Sequence, residues 1–197
     1  MGFLVDPDSA PSKREILSHA LRLFVREGLC ETSIRAIGDA AGYTNPALYK
    51  FFASKDALAL HLFERCYLLV YGQVNQAIAG GPFAVRLPRL ISVWLALMEE
   101  QLDAVIFMNE QLRDFWPQVD PAVKRQSLLK ALAKMIRDGK EEGVVVAALD
   151  PELAVALLVG TLGQVARQRF FGGFTDAPTL KAQLTATLFA ALTRSPQ

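Results

Sequence analysis

An all-α fold is predicted for this chain, with a three-helix N-terminal domain followed by a larger helical body. Three observations predict it. Apolar residues recur at helical spacing almost everywhere after Lys13. Strand signals are scarce, the one β-branched cluster being residues 144–146, which reads as a continuation or joint of helices. Breakers fall between the periodic stretches: Gly80, Gly81 and Pro82, then Pro117, Pro121, Gly139, Gly143, Pro151, Gly172, Gly173 and Pro178.

The first helix is predicted over 13–27. Ile16, Leu17, Ala20, Leu21 and Phe24 share one face, and Gly28 supplies a left-handed stop. The second starts after Thr32 or Ser33, either of which can cap it, carries Ile34, Ile37 and Ala40 inward, and stops before Gly42. The third covers 44–50. Thr44 is expected to cap it, and Pro46 sits in the first turn, where a missing amide donor costs nothing. Ser54 caps a long fourth helix with Leu58, Leu62, Cys66, Val70 and Val74 along one side. Further helices are predicted near 83–101, 102–115, 120–138, 150–171 and 177–193. The division into domains is 1–56 and 57–197.

Bulk composition is that of a globular chain: 197 residues, 52% hydrophobic, net charge +1. Charge alone therefore points to no nucleic acid. The start shows no secretory signal, and residues 66–85 and 153–166, the longest uncharged runs, are interrupted or too short to span a bilayer. A soluble cytoplasmic protein with no membrane partner is expected. Cys30 and Cys66 are too few for a disulfide framework and read as buried small hydrophobes. His19 and His61, the only histidines, lie in no ligand cluster, so neither metal nor cofactor is implied.

Residues 41–58, AGYTNPALYKFFASKDAL, carry the functional signal. Helix, tight turn and short helix is the helix-turn-helix arrangement. The N-terminal residues of such a helix meet base edges in the major groove. Here they are Thr44, Asn45 and Pro46. Asn45 can read adenine bidentately, while Pro46 and Ala47 suit a thymine methyl. Tyr49 and Lys50 suit phosphates. Lys55 opens the next helix, a poor place for a cation unless a phosphate binds there, and Arg35 early in the second helix poses the same question. The bland alternative is core aromatics and solvated lysines; acids and bases are equal in number through Leu58.

The ordered run Arg14, Ile16, Leu17, Ala20, Phe24, Gly28, then Thr32, Ser33, Ile34, Ile37, Ala40, Ala41, Gly42, then Leu48, Tyr49, Phe52, Ser54, Lys55, Leu58 resembles the TetR family of bacterial transcriptional regulators. The resemblance covers roughly the first third of the chain. It implies a homodimer with an N-terminal DNA-binding domain and a divergent effector-binding body, most often a repressor released from a palindromic operator by a small molecule. It places the recognition helix at 44–50, puts Tyr49 and Lys55 at phosphate positions, and sets Thr32, Ser33 and Arg35 at the start of a helix that touches the backbone. Phe24, Leu48 and Phe52 match core positions. Gly38 departs from the usual alanine, allowing closer packing or a looser domain. Tyr43 replaces a small aliphatic residue and either fills the groove between helices or reaches a phosphate. Phe51 stands where a histidine is common.

In the body, Trp94, Leu97, Met98, Ile106, Phe107, Met108, Phe115 and Trp116 are candidate pocket liners for a hydrophobic or amphipathic effector, with Glu100, Asn109, Glu110 and Arg113 as polar anchors. Such residues are also ordinary core. The last two helices suit association: residues 153–166 are apolar nearly all round, and Leu157, Gly160, Thr161, Gln164, Leu184 and Leu188 are the expected dimer contacts. The basic run Lys124, Arg125, Lys130, Lys134, Arg137 and Lys140 reads as a solvated face. An enzyme is disfavoured because no nucleophile–base arrangement is visible. A helical protein-interaction or small-molecule-binding module with weak or lost DNA binding is the alternative to a DNA-binding regulator.

Overall fold

The computed structural model of the chain describes residues 2–175 and 177–193. Among them the elements are helical, apart from one isolated antiparallel bridge between Val145 and Thr193. The chain forms two compact units that do not follow chain order. One joins Met1–Leu69 to Asp103–Arg125, and the other joins Val70–Leu102 to Gln126–Gln197.

In the first unit α1 (Pro11–Arg26) opens with Pro11 at a position needing no amide donor, two residues earlier than the periodicity indicates. It buries Ile16, Leu17, Ala20, Leu21, Phe24 and Val25, and the chain leaves it through Gly28 at φ +97°. α2 (Ile34–Ala41) is capped by Ser33, whose Oγ accepts from the Ala36 amide at 3.0 Å. Thr32 is not the cap: it is buried and its hydroxyl donates to the Gly28 carbonyl at 2.8 Å. Ile37 and Gly38 are buried but Ala40 is exposed, contrary to expectation. At roughly 100° per residue, an arc centred between Ile37 and Gly38 leaves Ala40 outside it.

α3 (Asn45–Tyr49) follows Gly42, which adopts φ +75°. Thr44 occupies the cap position but its side chain makes no capping bond; the expected hydrogen bond is absent, and the first turn rests on Pro46 and on the Thr44 carbonyl, which accepts from the Ala47 amide at 2.9 Å. Ser54 then caps α4 (Lys55–Ala77) by accepting from the Ala57 amide. Leu58, Leu62, Cys66, Val70 and Val74 are all buried, as their spacing requires. Burial pushes the Cys66 thiol well above its usual pKa. Cys30, by contrast, is exposed, because it lies on the turn after Gly28 and not on a helix face.

α6 (Leu102–Phe115) belongs to this same unit. Phe107 stacks on Phe24 of α1 at 5.8 Å between centroids, and Phe115 meets Phe63 of α4 at 5.8 Å. Trp116 packs on Tyr67 at 5.0 Å. Fully buried Phe63 and Phe107 each contribute roughly 1.5–3 kcal/mol by apolar burial. The N-terminus adds a turn, Gly2–Leu4, that the sequence does not announce. Leu4 and Val5 are buried, and Arg65 holds them through the Phe3 carbonyl at 2.6 Å, the Val5 carbonyl at 2.9 Å and the Asp6 carboxylate at 3.0 Å. His61 donates from Nε2 to the Leu4 carbonyl; burial, with Lys13 and Arg65 nearby, lowers its pKa and keeps it neutral.

The predicted helix at 120–138 is two helices. α7 (Pro121–Lys124) is capped by Asp120, and α8 (Leu128–Glu141) starts anew because Ser127 accepts from the Lys130 amide. Gly139 is not a break. It lies inside α8, where an added Cβ would come within 2.7 Å of Val145 and 2.8 Å of Phe83. The stop is Gly143 at φ +73°.

The second unit is built from the end of α4 with α5 (Phe83–Glu100), α8, α9 (Pro151–Phe170) and α10 (Ala177–Leu192). Asp150 caps α9 through the Glu152 and Leu153 amides. A buried charge that the sequence reading passed over sits here: Arg86, 5% exposed, pairs with Asp138 at 2.8 Å and Glu142 at 3.0 Å. Glu142 also accepts from the Phe83 amide, closing the start of α5 onto α8. Residues 144–146 join α8 to α9, and Val146 donates to the Leu192 carbonyl at 3.0 Å.

Candidate nucleic-acid interface

Five residues make α3, and one of them anchors it. Leu48 is 1% exposed and packs inward with Phe52, while Thr44, Asn45, Pro46, Tyr49 and Lys50 all face solvent. Tyr49 is 54% exposed, a large aromatic surface left uncovered. The short helix therefore presents nearly everything it carries, which is the requirement for entering a groove.

The turn before it is unusually close to α2. An ideal Cβ at Gly38 would lie 2.6 Å from the Tyr43 carbonyl oxygen and 3.4 Å from Asn45 Oδ1. The Tyr43 amide donates to the Gly38 carbonyl at 2.9 Å. Of the two readings of Gly38, closer packing is the one realised. The Tyr43 hydroxyl donates to the Glu15 carboxylate on α1, so it is held by an acid and is not turned toward a phosphate. That bond, ahead of burial, raises the Tyr43 pKa and keeps the hydroxyl protonated.

Lys55 is not the free cation expected. Its ammonium donates to the carbonyls of Leu29 at 2.8 Å, Thr32 at 3.0 Å and Cys30 at 3.3 Å. Three donors meet three acceptors, so the head of α4 braces the turn between α1 and α2. This answers why a cation tolerates that position. Thr32 is likewise sequestered. Arg35 remains available: its side chain is 83% exposed, and its pairing with Asp39 at 3.7 Å is a weak surface contact. Lys13 lies 5.6 Å over the Phe52 ring.

The expected effector residues fall in both units, and most have partners within their own. In the second unit Trp94 donates its indole N–H to the Leu162 carbonyl at 3.0 Å, and Met98 is buried. In the first, Phe107, Met108 and Phe115 are buried and Trp116 is half-buried. Glu110 and Arg113 are not interior anchors: both lie on the exposed side of α6, and the Arg113 side chain is 94% exposed beside Asp114. Asn109 Nδ2 is buried without a hydrogen-bond partner among the described residues.

On α9, Leu157 (40% exposed), Gly160 and Gln164 face solvent and Thr161 is half-exposed. Leu184 and Leu188 do not join them. Both are buried within their own unit, on the side of α10 that packs on α5. The face α10 leaves open is Ala182, Ala186 and Ala190, a small-residue stripe at four-residue spacing that the reading by size overlooked. Among the described residues no helix is long and apolar enough to cross a membrane, and no group of side chains suits a metal ion.

Comparison with known proteins follows the same lines. Residues 16–62 match the profile of the bacterial regulatory proteins of the tetR family. The HTH-type transcriptional repressor KstR2 of Mycolicibacterium smegmatis is 29% identical over 159 residues, spanning 78% of this chain and 76% of that protein. The structure of the ketosteroid transcriptional regulator KstR2 of Mycobacterium tuberculosis superposes with a TM-score of 0.81 at 23% identity, covering 95% of this chain and 98% of the other. The fatty acid degradation regulator FadR from Bacillus halodurans superposes at 0.77 with 19% identity, covering 95% and 100%. Residues 16–62 thus match the tetR family of bacterial regulatory proteins, on an all-α chain whose fold is that of the regulators it superposes on.

Proposed function

We propose that the protein is a ligand-responsive repressor. It binds a palindromic operator as a homodimer and leaves it when a small hydrophobic or amphipathic effector binds the helical body. Residues 1–56 read DNA, and 57–197 sense and dimerise. The observation that carries the reading is the exposure of Thr44, Asn45, Pro46, Tyr49 and Lys50 around a single buried anchor, Leu48.

In this account Asn45 bonds an adenine edge bidentately and Pro46 lies against a thymine methyl. Thr44 meets base edges beside Asn45, and Ser33, Arg35, Tyr49 and Lys50 hold phosphates and fix the register. Lys55 serves indirectly by holding the α1–α2 turn. Dimerisation uses Leu157, Gly160, Thr161 and Gln164 of α9 with Ala182, Ala186 and Ala190 of α10. A Cβ at Gly160 would meet nothing within its own chain, which leaves room for close approach of a second copy.

The effector side rests on α6. A buried amide donor without an acceptor costs about 1–3 kcal/mol, and an effector oxygen beside Asn109 would relieve it. The ketosteroid and fatty-acid regulators among the similar structures suit an apolar effector that carries oxygen groups. α6 is part of the same compact unit as the DNA-reading helices and stacks on α1 through Phe107 and Phe24. An effector that favours a displaced α6 therefore weakens the DNA-competent arrangement by its differential affinity for the two. Trp94 and Met98 are the α5 residues assigned to the same sensing role.

The test is footprinting on DNA upstream of the protein's own gene, followed by addition of a panel of steroid and fatty-acid carboxylates or their thioesters. A symmetric footprint cleared by one class supports the proposal. A footprint that no apolar compound disturbs contradicts the effector half, and an asymmetric single half-site contradicts the dimer.

A further inference from the structure

We propose that Glu15 and Tyr43 act as a positioning pair that fixes the entry of the recognition helix. The inference rests on the DNA-reading assignment of α3. Tyr43 is the residue immediately before Thr44 and Asn45, and it is held at three points. Its amide donates to the Gly38 carbonyl, its own carbonyl oxygen sits against α2, 2.6 Å from where a Cβ at 38 would stand, and its hydroxyl reaches Glu15. The first two tie the turn to α2. The third ties it to α1, twenty-eight residues back in sequence.

α3 itself packs chiefly on α2. A helix held from one side by one buried leucine can swivel about that contact. A small aliphatic residue at 43, the usual choice in the family, offers no bond to α1. The tyrosine spans the distance, and the Glu15 carboxylate is an acceptor that phosphate would repel and not replace. The pair thus fixes the angle at which Asn45 meets a base edge, without touching DNA. Such a device acts on discrimination: a misaligned Asn45 loses its bidentate geometry, while nonspecific phosphate contacts tolerate small rotations.

The test uses the full chain and a duplex selected by the wild-type protein from genomic fragments, with a scrambled duplex as control. Binding of both is measured by fluorescence anisotropy, and thermal melts are run in parallel. Tyr43→Phe and Glu15→Ala are each expected to weaken binding to the selected duplex about fivefold to tenfold and to leave the scrambled duplex within about twofold. The double variant loses no more than either single one. Glu15→Gln, whose amide oxygen still accepts from the tyrosine, stays within about twofold of wild type.

Glu15→Ala binding as tightly as wild type or tighter would overturn the pair, since the hydroxyl would then serve a phosphate better alone. Equal loss on both duplexes, failure of Glu15→Gln to rescue, or melting temperatures that fall in step with affinity would also overturn it. A wild-type protein that selects no duplex removes the DNA-reading assignment itself, a different outcome from any of these.

Discussion

Replacing Gly38 by alanine is the sharpest perturbation the reading head allows, because two effects of opposite sign are both measurable. Alanine inside a helix is favoured over glycine by about 1 kcal/mol. Against that, the new Cβ would stand 2.6 Å from the Tyr43 carbonyl oxygen, 0.8 Å short of the 3.4 Å at which ordinary contact begins. The obstacle is backbone, not the end of a flexible side chain. Relief requires the turn to move away, which strains the Tyr43 amide bond to Gly38, 2.9 Å long and worth about 1 kcal/mol. Overpacking of this kind costs about 1–3 kcal/mol. The sum is a net loss of about 1–3 kcal/mol, or a melting temperature lower by about 2–12 °C for a chain of this size. Because Thr44 and Asn45 ride on the displaced turn, operator affinity should fall at least about tenfold. Circular-dichroism melts and anisotropy titrations read both. A variant that melts higher than wild type, with operator binding intact, would show that the turn yields freely and refute the steric argument.

Other outcomes are equally direct. Leu157→Glu places a charge on the open face of α9 and should give a monomer by light scattering, with operator binding lost while helicity is retained. Tyr49→Ala should weaken binding to all sequences, whereas Asn45→Ala should relax discrimination at one base pair in each half-site; unchanged specificity in Asn45→Ala would remove its assigned role. Arg86→Ala leaves Asp138 with Lys134 and Glu142 with the Phe83 amide, and should cost about 1–3 kcal/mol by chemical denaturation. The hydrogen bonds from Arg86, then Lys134, hold the Asp138 carboxyl below its ordinary range. Its contribution is therefore present above the ordinary carboxylate pKa and lost as pH falls through the lowered one, so the gap in melting temperature between wild type and Asp138→Asn should close in acid.

Local chemistry was legible in the sequence and long-range chemistry was not. Gly28, Gly42, Ser33, Pro46 and Ser54 act within a few residues of themselves, and the helices of the reading head lie where those signals put them. The inward stripe of α4 follows from spacing alone. Lys55 shows the limit: its type and place suggested a phosphate, but its partners lie on a turn more than twenty residues earlier, and nothing local announces three converging carbonyls. Tyr43 and Glu15 are the same case. Leu184 and Leu188 were assigned outward by size, yet large apolar residues go to their own core first, and the side α10 leaves exposed carries the alanine stripe behind them. Arg86 was invisible because a buried arginine looks like any solvated one until Asp138 and Glu142 are brought to it.

The central claim is that α3 reads operator DNA as half of a symmetric pair. The most direct measurement is the affinity of the purified protein for its selected duplex as a function of salt, with the stoichiometry fixed in the same titration. The account predicts two chains per palindromic site and a logarithm of the binding constant that falls steeply and linearly with the logarithm of salt concentration, as several phosphate contacts per half-site release counterions. One chain per site, a flat salt dependence, or the same affinity for scrambled DNA would contradict it.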